Sequence, residues 1–172
     1  MTTKKVIVTT YDPIWADCFQ QIKTELVAAA GDMILSVEHV GSTSVPGLAA
    51  KPIIDLDVVI ESRAVLPDLI QRLAAIGYIH RGDLGIPDRE AFRYESKPHL
   101  MRHHLYVCPK DSRELRRHLV FRDYLCSHPD AVEEYGRVKM EAAALYPDDI
   151  EGYIRHKSPV IESIYRLCGL EE

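Results

Sequence analysis

Two aspartates, Asp55 and Asp57, interrupt an otherwise apolar run, IIDLDVVI over residues 53–60. In a strand, residues i and i+2 share a face, so both carboxylates project together while Ile54, Leu56 and Val58 face the other way. Carboxylates this close repel one another and lose hydration among Ile and Val. A hard divalent cation offsets both costs, and Mg²⁺ characteristically takes one or two carboxylates together with substrate phosphates. Twelve residues separate Asp55 from Ser42, which stands in the small-residue stretch Gly41-Ser42-Thr43-Ser44. Gly41 lets the backbone approach a phosphate closely, and Ser42, Thr43 and Ser44 offer hydroxyls and N–H groups without adding negative charge. A phosphate loop beside an acidic metal site is the equipment of phosphoryl or nucleotidyl transfer, in which a metal clamps oxygens and neutralises charge during in-line attack. Each piece alone also has an ordinary reading, as a turn or as an exposed strand face. The combination at this spacing points to chemistry.

Such a loop needs a strand on either side of it. Residues 34–40 and 53–60 supply the pair, with GSTSVPGLAAKP between them. Ahead of them, residues 4–10 read as a short strand or arm. Asp12 and Pro13 then open a helix whose stripe Trp15, Phe19, Ile22 and Leu26 is assigned to the core. A second helix is predicted over 66–76, a possible strand over 78–80, and further strands over 91–96 and 101–108. From Asp111 the chain becomes charged and helical in period, giving three helices over 111–127, 130–145 and 149–168, punctuated by His128-Pro129 and Tyr146-Pro147. The expectation is one α+β domain over 1–172: a mixed sheet flanked by helices over 1–110, and a packed helical tail over 111–172.

The 172 residues carry 21 Lys+Arg against 26 Asp+Glu, a net charge of -5. That balance argues against nucleic acid as a partner, because neutralising its phosphates calls for a basic surface. A small polyanion then needs local cations or a metal to outweigh the global field. The cysteines Cys18, Cys108, Cys126 and Cys168 show no metal-binding spacing and read as buried thiols of a reducing compartment. No signal-peptide pattern precedes the first apolar run, and no apolar run approaches the roughly 20 residues of a membrane span. A cytoplasmic protein with no membrane partner is expected.

The order hydrophobic-Gly-Ser, a gap of twelve, then Asp-x-Asp resembles the nucleotidyltransferase superfamily of the DNA polymerase β type. More narrowly, HVGSTSVPGLAAKPIIDLDV, with YDPIW, HHLYV, FRDYL and EYGRVKM, resembles the GrpB family, small proteins of nucleotidyltransferase-like fold. The resemblance implies that Gly41 and Ser42 hold a triphosphate and that Asp55 and Asp57 bind Mg²⁺ or Mn²⁺. It also implies a third carboxylate on a later strand, and here the chain departs from the superfamily: residues 101–108 contain no acid. The family has His-x-His at this point, whereas this chain has His104-Leu105-Tyr106. His104 then stands as a neutral metal ligand or a proton acceptor.

Several other residues carry two readings each. Lys51 is a phosphate partner or a loop lysine, and His39 a site residue or a hydrogen-bonded structural group. Arg89, Glu90 and Arg93 form a flap that recognises phosphate, or a charged surface. Arg122, Lys139, Tyr153 and Lys157 supply a positive field, or belong to amphipathic helix surfaces. His103 and His118 read as structural or surface groups. The leading functional expectation is a Mg²⁺-dependent nucleotidyltransferase acting on an NTP and a small-molecule or protein acceptor. The alternatives are a non-catalytic nucleotide- or metabolite-binding protein and a His/Asp metal-dependent hydrolase. Acceptor, base preference and oligomeric state stay open at this stage.

Overall fold

A computed structural model describes residues 5–170. They form ten main elements: α1 (Ile14–Ala30), β1 (Ser36–Val40), β2 (Ile54–Ile60), α2 (Leu66–Ala75), β3 (Ile79–His80), β4 (Glu90–Arg93), β5 (His103–Pro109), α3 (Arg113–Ser127), α4 (Pro129–Leu145) and α5 (Ile150–Leu167). The strands make one mixed sheet of order β1-β2-β5-β4-β3. β2 and β5 run parallel at its centre, and the other pairs are antiparallel. This register sets Asp55 beside His104 and Asp57 beside Tyr106.

The apolar face of β2 explains where the core sits. Leu56 and Val58, with Leu105 and Val107 of β5, pack against Trp15, Phe19, Ile22 and Leu26 of α1 and Leu69 and Leu73 of α2. Asp12 accepts a hydrogen bond from the Ile14 amide at 3.0 Å, so the chain enters α1 through the cap its sequence indicates. Ile22 and Leu26 are fully buried, and truncating either to alanine costs roughly 2–5 kcal/mol.

The opposite, aspartate-bearing face is covered by the tail. Val45 and Leu48 of the loop before β2 pack with Leu125 of α3, Tyr135 of α4 and Ile164 of α5. Val59 and Cys108 pack with Leu115 of α3. Ser112 starts α3 by accepting from the Leu115 amide at 3.2 Å, and Asp149 starts α5 by accepting from the Gly152 amide at 3.0 Å. The tail therefore shares its core with the loop between β1 and β2, which fixes one against the other.

Some details differ from the sequence reading. Of the strand expected over 4–10, Lys4 lies outside the described residues. The rest is an extended strap, bridged to the sheet side of the chain only at Thr9–Ala50 and tied by the Val6 amide to the Pro147 carbonyl at 2.8 Å. Its partners are loops, so no ladder can propagate. β1 begins at Ser36 and not at Ile34, because Gly31–Met33 continues α1 as a 3-10 turn. Of the four thiols Cys108 is buried, whereas Cys126 is exposed and Cys18 and Cys168 are intermediate. Among the described residues no helix is long and apolar enough to cross a membrane.

Candidate functional site

β1 ends at Val40, and the chain turns at Gly41 with φ 71° and ψ -173°, a conformation essentially reserved for glycine. The turn brings the loop against β2: a Cβ on Gly41 would lie 2.5 Å from Asp55 Oδ2. A 3-10 turn over Ser42–Ser44 follows. Inside it Ser44 Oγ donates back to the Gly41 carbonyl. Thr43 is buried; its hydroxyl donates to the Ile53 carbonyl at 3.4 Å and lies 2.9 Å from His39 Nε2. A hydroxyl has one proton, so His39 Nε2 carries the hydrogen of that second bond. Burial, reinforced by Arg122 and opposed by Asp55, depresses His39 to about 4, so the ring is neutral at physiological pH. Stacked on Phe19 at 4.7 Å, His39 anchors the loop from behind.

In front of the loop is a cavity of about 170 Å³, bordered by Ser42, Asp55, His104 and three lysines, Lys51, Lys139 and Lys157. The lysines come from the loop, α4 and α5, elements brought together by the tail packing described above. Lys139 is only 2% exposed, with its ammonium 4.9 Å from the centre of the Tyr135 ring. Burial, then Lys157, holds Lys139 well below the ordinary lysine range, against the pull of Asp55. Burial and the neighbouring Lys51 bring Lys157 down to about 8. Burial likewise lowers Lys51, with Arg102 adding to it and Asp55 opposing. Tyr153, which also lines the cavity, has a buried hydroxyl with no hydrogen-bond partner among the described residues. Three crowded ammonium groups facing one carboxylate lack enough counter-charge, and a polyanion would supply it.

The two aspartates differ. Asp55, 34% exposed at its side chain, lines the cavity, and its Oδ1 lies 3.0 Å from His104 Nδ1. Asp57 is fully buried, and its Oδ2 lies 2.6 Å from His118 Nδ1 of α3. His118 Nε2 in turn lies 3.3 Å from Glu114, one helical turn earlier. Burial alone would lower His118, but the bonds to Asp57 and Glu114 outweigh it and hold the ring at about 9. Burial pushes Asp57 upward, with the His118 bond pulling the other way. Asp57 Oδ1 has no hydrogen-bond partner among the described residues. An orphaned buried carboxylate oxygen beside Asp55 is the kind of hard donor Mg²⁺ or Mn²⁺ takes, with phosphate oxygens and water completing the shell. The donor set fits such an ion. Among the described residues no three His, Cys, Asp or Glu groups are drawn together as a protein-only metal cluster.

Ser42, Thr43, Lys51, Asp55 and His104 thus meet at one cavity; Gly41 lies behind Asp55, while Ser44 and Asp57 stay outside the lining. Arg93 is exposed and 3.9 Å from Glu95, away from the cavity. Arg122 pairs with Glu38 and Asp123, both at 2.9 Å. Glu90 is buried between Arg63 and His80. Arg89 lies over the Tyr106 ring at 4.3 Å. The sequence reading missed the contact of His118 with Asp57. The signal was faint: Glu114 and His118 sit one turn apart on α3, so they share a face. Lys139, Tyr153 and Lys157, which the sequence offered as sources of a positive field or as helix surface, line the cavity, and Lys139 falls in the buried stripe Tyr135, Val138 and Ala142.

The GrpB protein family matches residues 5–167. The chain belongs to the GrpB family. It is 36% identical over 160 residues to the UPF0157 protein YqkA of Bacillus subtilis (strain 168), covering 93% of this chain and 46% of YqkA. The chain therefore spans less than half the length of that relative. A protein of Mycolicibacterium paratuberculosis named dephospho-CoA kinase is 32% identical over 178 residues, covering 90% of this chain and 44% of its own. The crystal structure of GrpB from Enterococcus faecalis superposes with a TM-score of 0.82 at 36% identity, covering 94% of this chain and 96% of that one. Cid1 in complex with its short product ApU matches with a TM-score of 0.52 at 12% identity, over 76% of this chain and 40% of Cid1. That likeness is one of fold, and the GrpB fold seen here is nucleotidyltransferase-like.

Proposed function

We propose that this GrpB chain transfers a nucleotidyl group from an NTP to the hydroxyl of a small-molecule or protein acceptor, with Mg²⁺ or Mn²⁺ held by Asp55 and Asp57. The observation that carries this reading is the convergence of Lys51, Lys139 and Lys157 on the cavity that Ser42 and Asp55 border. Ser42 offers its hydroxyl and N–H to the phosphates. The lysines neutralise the β- and γ-phosphates and the pyrophosphate that departs. When bound, the divalent ion adds Lewis-acid polarisation of the phosphoryl oxygens. His104, with Nδ1 turned to Asp55, keeps Nε2 for the proton of the acceptor hydroxyl as its oxygen attacks the α-phosphorus and the bond to the β-phosphate breaks.

A second reading, nucleotide binding without turnover, is favoured by two observations. The β5 positions beside the aspartates hold His104 and Tyr106, not an acid, and Asp57 is shut in by His118. Pyrophosphate release from each NTP with Mg²⁺, in the presence of a panel of hydroxyl acceptors, separates the two. The transferase reading expects release that Asp55→Asn reduces at least about a hundredfold. Bound NTP without release in any acceptor mixture supports the second reading, and no NTP binding at all contradicts both.

A further inference from the structure

A second cavity, of about 310 Å³, adjoins the lysine cavity, and the two share Lys51, Ile53 and His104. Its volume is at the low end of the roughly 300–1,000 Å³ typical of small-molecule sites. Three segments distant in sequence wall it: the N-terminal strap, the residues leading into β5, and the α4–α5 turn. Each is pinned by backbone bonds. The strap is held through Val6 to Pro147 at 2.8 Å, the approach to β5 through the Ile54 amide to the Arg102 carbonyl at 3.0 Å, and the turn through the Tyr153 amide to the Asp149 carbonyl at 3.0 Å. The cavity is therefore preformed.

Its chemistry is that of an anion site with an apolar floor. Lys5, Lys51 and Arg102 face a single acid, Asp148, while Ile53 and Ile150 supply apolar surface. Among the described residues neither Lys5 nor Arg102 has a carboxylate partner, unlike Arg63, Arg72 and Arg122 elsewhere on the surface. Ile150, at the start of α5, keeps 44% of its surface exposed and so offers apolar area to a ligand. A guanidinium in such a place suits a carboxylate or a phosphate ester, whose oxygens match its fork.

We propose that this cavity binds a small organic anion, an apolar body bearing one carboxylate or phosphate monoester. Its role as the acceptor of the transferred group rests on the transferase reading above; its ability to bind such an anion does not. The His104–Asp55 pair stands at the border of the two cavities, so an anion anchored by Arg102 and a polyphosphate anchored by the lysines would meet there.

The test titrates the full chain with phenyl phosphate, an aryl phosphate monoester, alone and after saturation with inorganic tripolyphosphate, by NMR and calorimetry. Phenyl phosphate is expected to bind in both cases. Arg102→Gln is expected to weaken it about tenfold and Lys5→Gln several-fold, with tripolyphosphate affinity unchanged within about twofold. Arg102 and Lys5 are exposed, so the variants should melt with the native chain. Displacement of phenyl phosphate by tripolyphosphate would overturn the proposal, as would no binding or an unaltered affinity in Arg102→Gln. Displacement by ATP but not by tripolyphosphate would also overturn it, by making the cavity a nucleoside pocket. If tripolyphosphate binds no variant while phenyl phosphate still responds to Arg102→Gln, the nucleotide reading fails and the anion site stands.

Discussion

Asp55 and Asp57 stand on one face of one strand, two residues apart, and the fold gives them opposite surroundings. Asp55 opens on a cavity lined by lysines and touches a half-exposed histidine. Asp57 is sealed under α3 with one oxygen on His118 and the other unpartnered. The same side chain thus faces two electrostatic regimes. Solvent reaches the first directly, whereas the second leans on His118 and, in the reading proposed above, on the ion it shares with Asp55, because an isolated buried carboxylate is costly. The difference teaches that a tail helix, and not the strand carrying the motif, decides how each carboxylate can be used.

The largest effect should follow from breaking the sealed pair. His118→Ala leaves Asp57 buried without its charge partner, and such a loss costs about 3–5 kcal/mol. Urea denaturation should show it; a change below about 1 kcal/mol would mean that Asp57 is not held as described. The open side should respond next to Gly41→Ala, where a glycine-only backbone conformation and a Cβ pressed on Asp55 together cost of order 1–3 kcal/mol. The same denaturation series reads it, and native-like stability would show the turn to be more tolerant than its geometry implies.

Lys139→Met should move stability in the other direction. It replaces a buried, under-compensated ammonium with an apolar side chain of similar length, so the apo chain should gain about 1 kcal/mol despite losing the contact with Tyr135. A loss of stability would show that Lys139 has a compensating partner. The smallest effect concerns pH. Lys157 titrates near 8 and is charged below that value. Its folded-state pKa is depressed, so its attraction for anions is present at low pH and fades as pH rises through about 8. Calorimetric affinity for tripolyphosphate should weaken several-fold between about pH 7 and 9, and Lys157→Met should flatten the trend. An unmodified chain with constant affinity across that range would contradict the placement of Lys157 in the site.

The strand-loop-strand block was legible in the sequence because its signals are local. Alternating Ile54, Asp55, Leu56, Asp57 and Val58 fixes the two faces of β2, and Gly41 can adopt a turn that few other residues can. The likeness to the GrpB family carried the fold beyond that block. What stayed hidden was the face that each tail helix presents to the sheet. His118 read as a structural or surface group and Lys139 as a cation of a positive field or of a helix surface; which reading applies is decided only when α3 and α4 dock on Val45, Leu48, Val59 and Cys108. The reverse holds for Arg93: a strand arginine suggested phosphate recognition, but its position on β4 leaves it at the surface beside Glu95.

The most direct measurement of the central claim is calorimetric titration of the chain with tripolyphosphate and Mg²⁺, comparing native protein with Lys139→Met and Asp55→Asn. The account predicts that Lys139→Met loses tripolyphosphate affinity about tenfold or more with or without the ion, while Asp55→Asn loses only the increment that Mg²⁺ adds. Equal affinity in all three proteins, or a Mg²⁺ increment that survives Asp55→Asn, would contradict it.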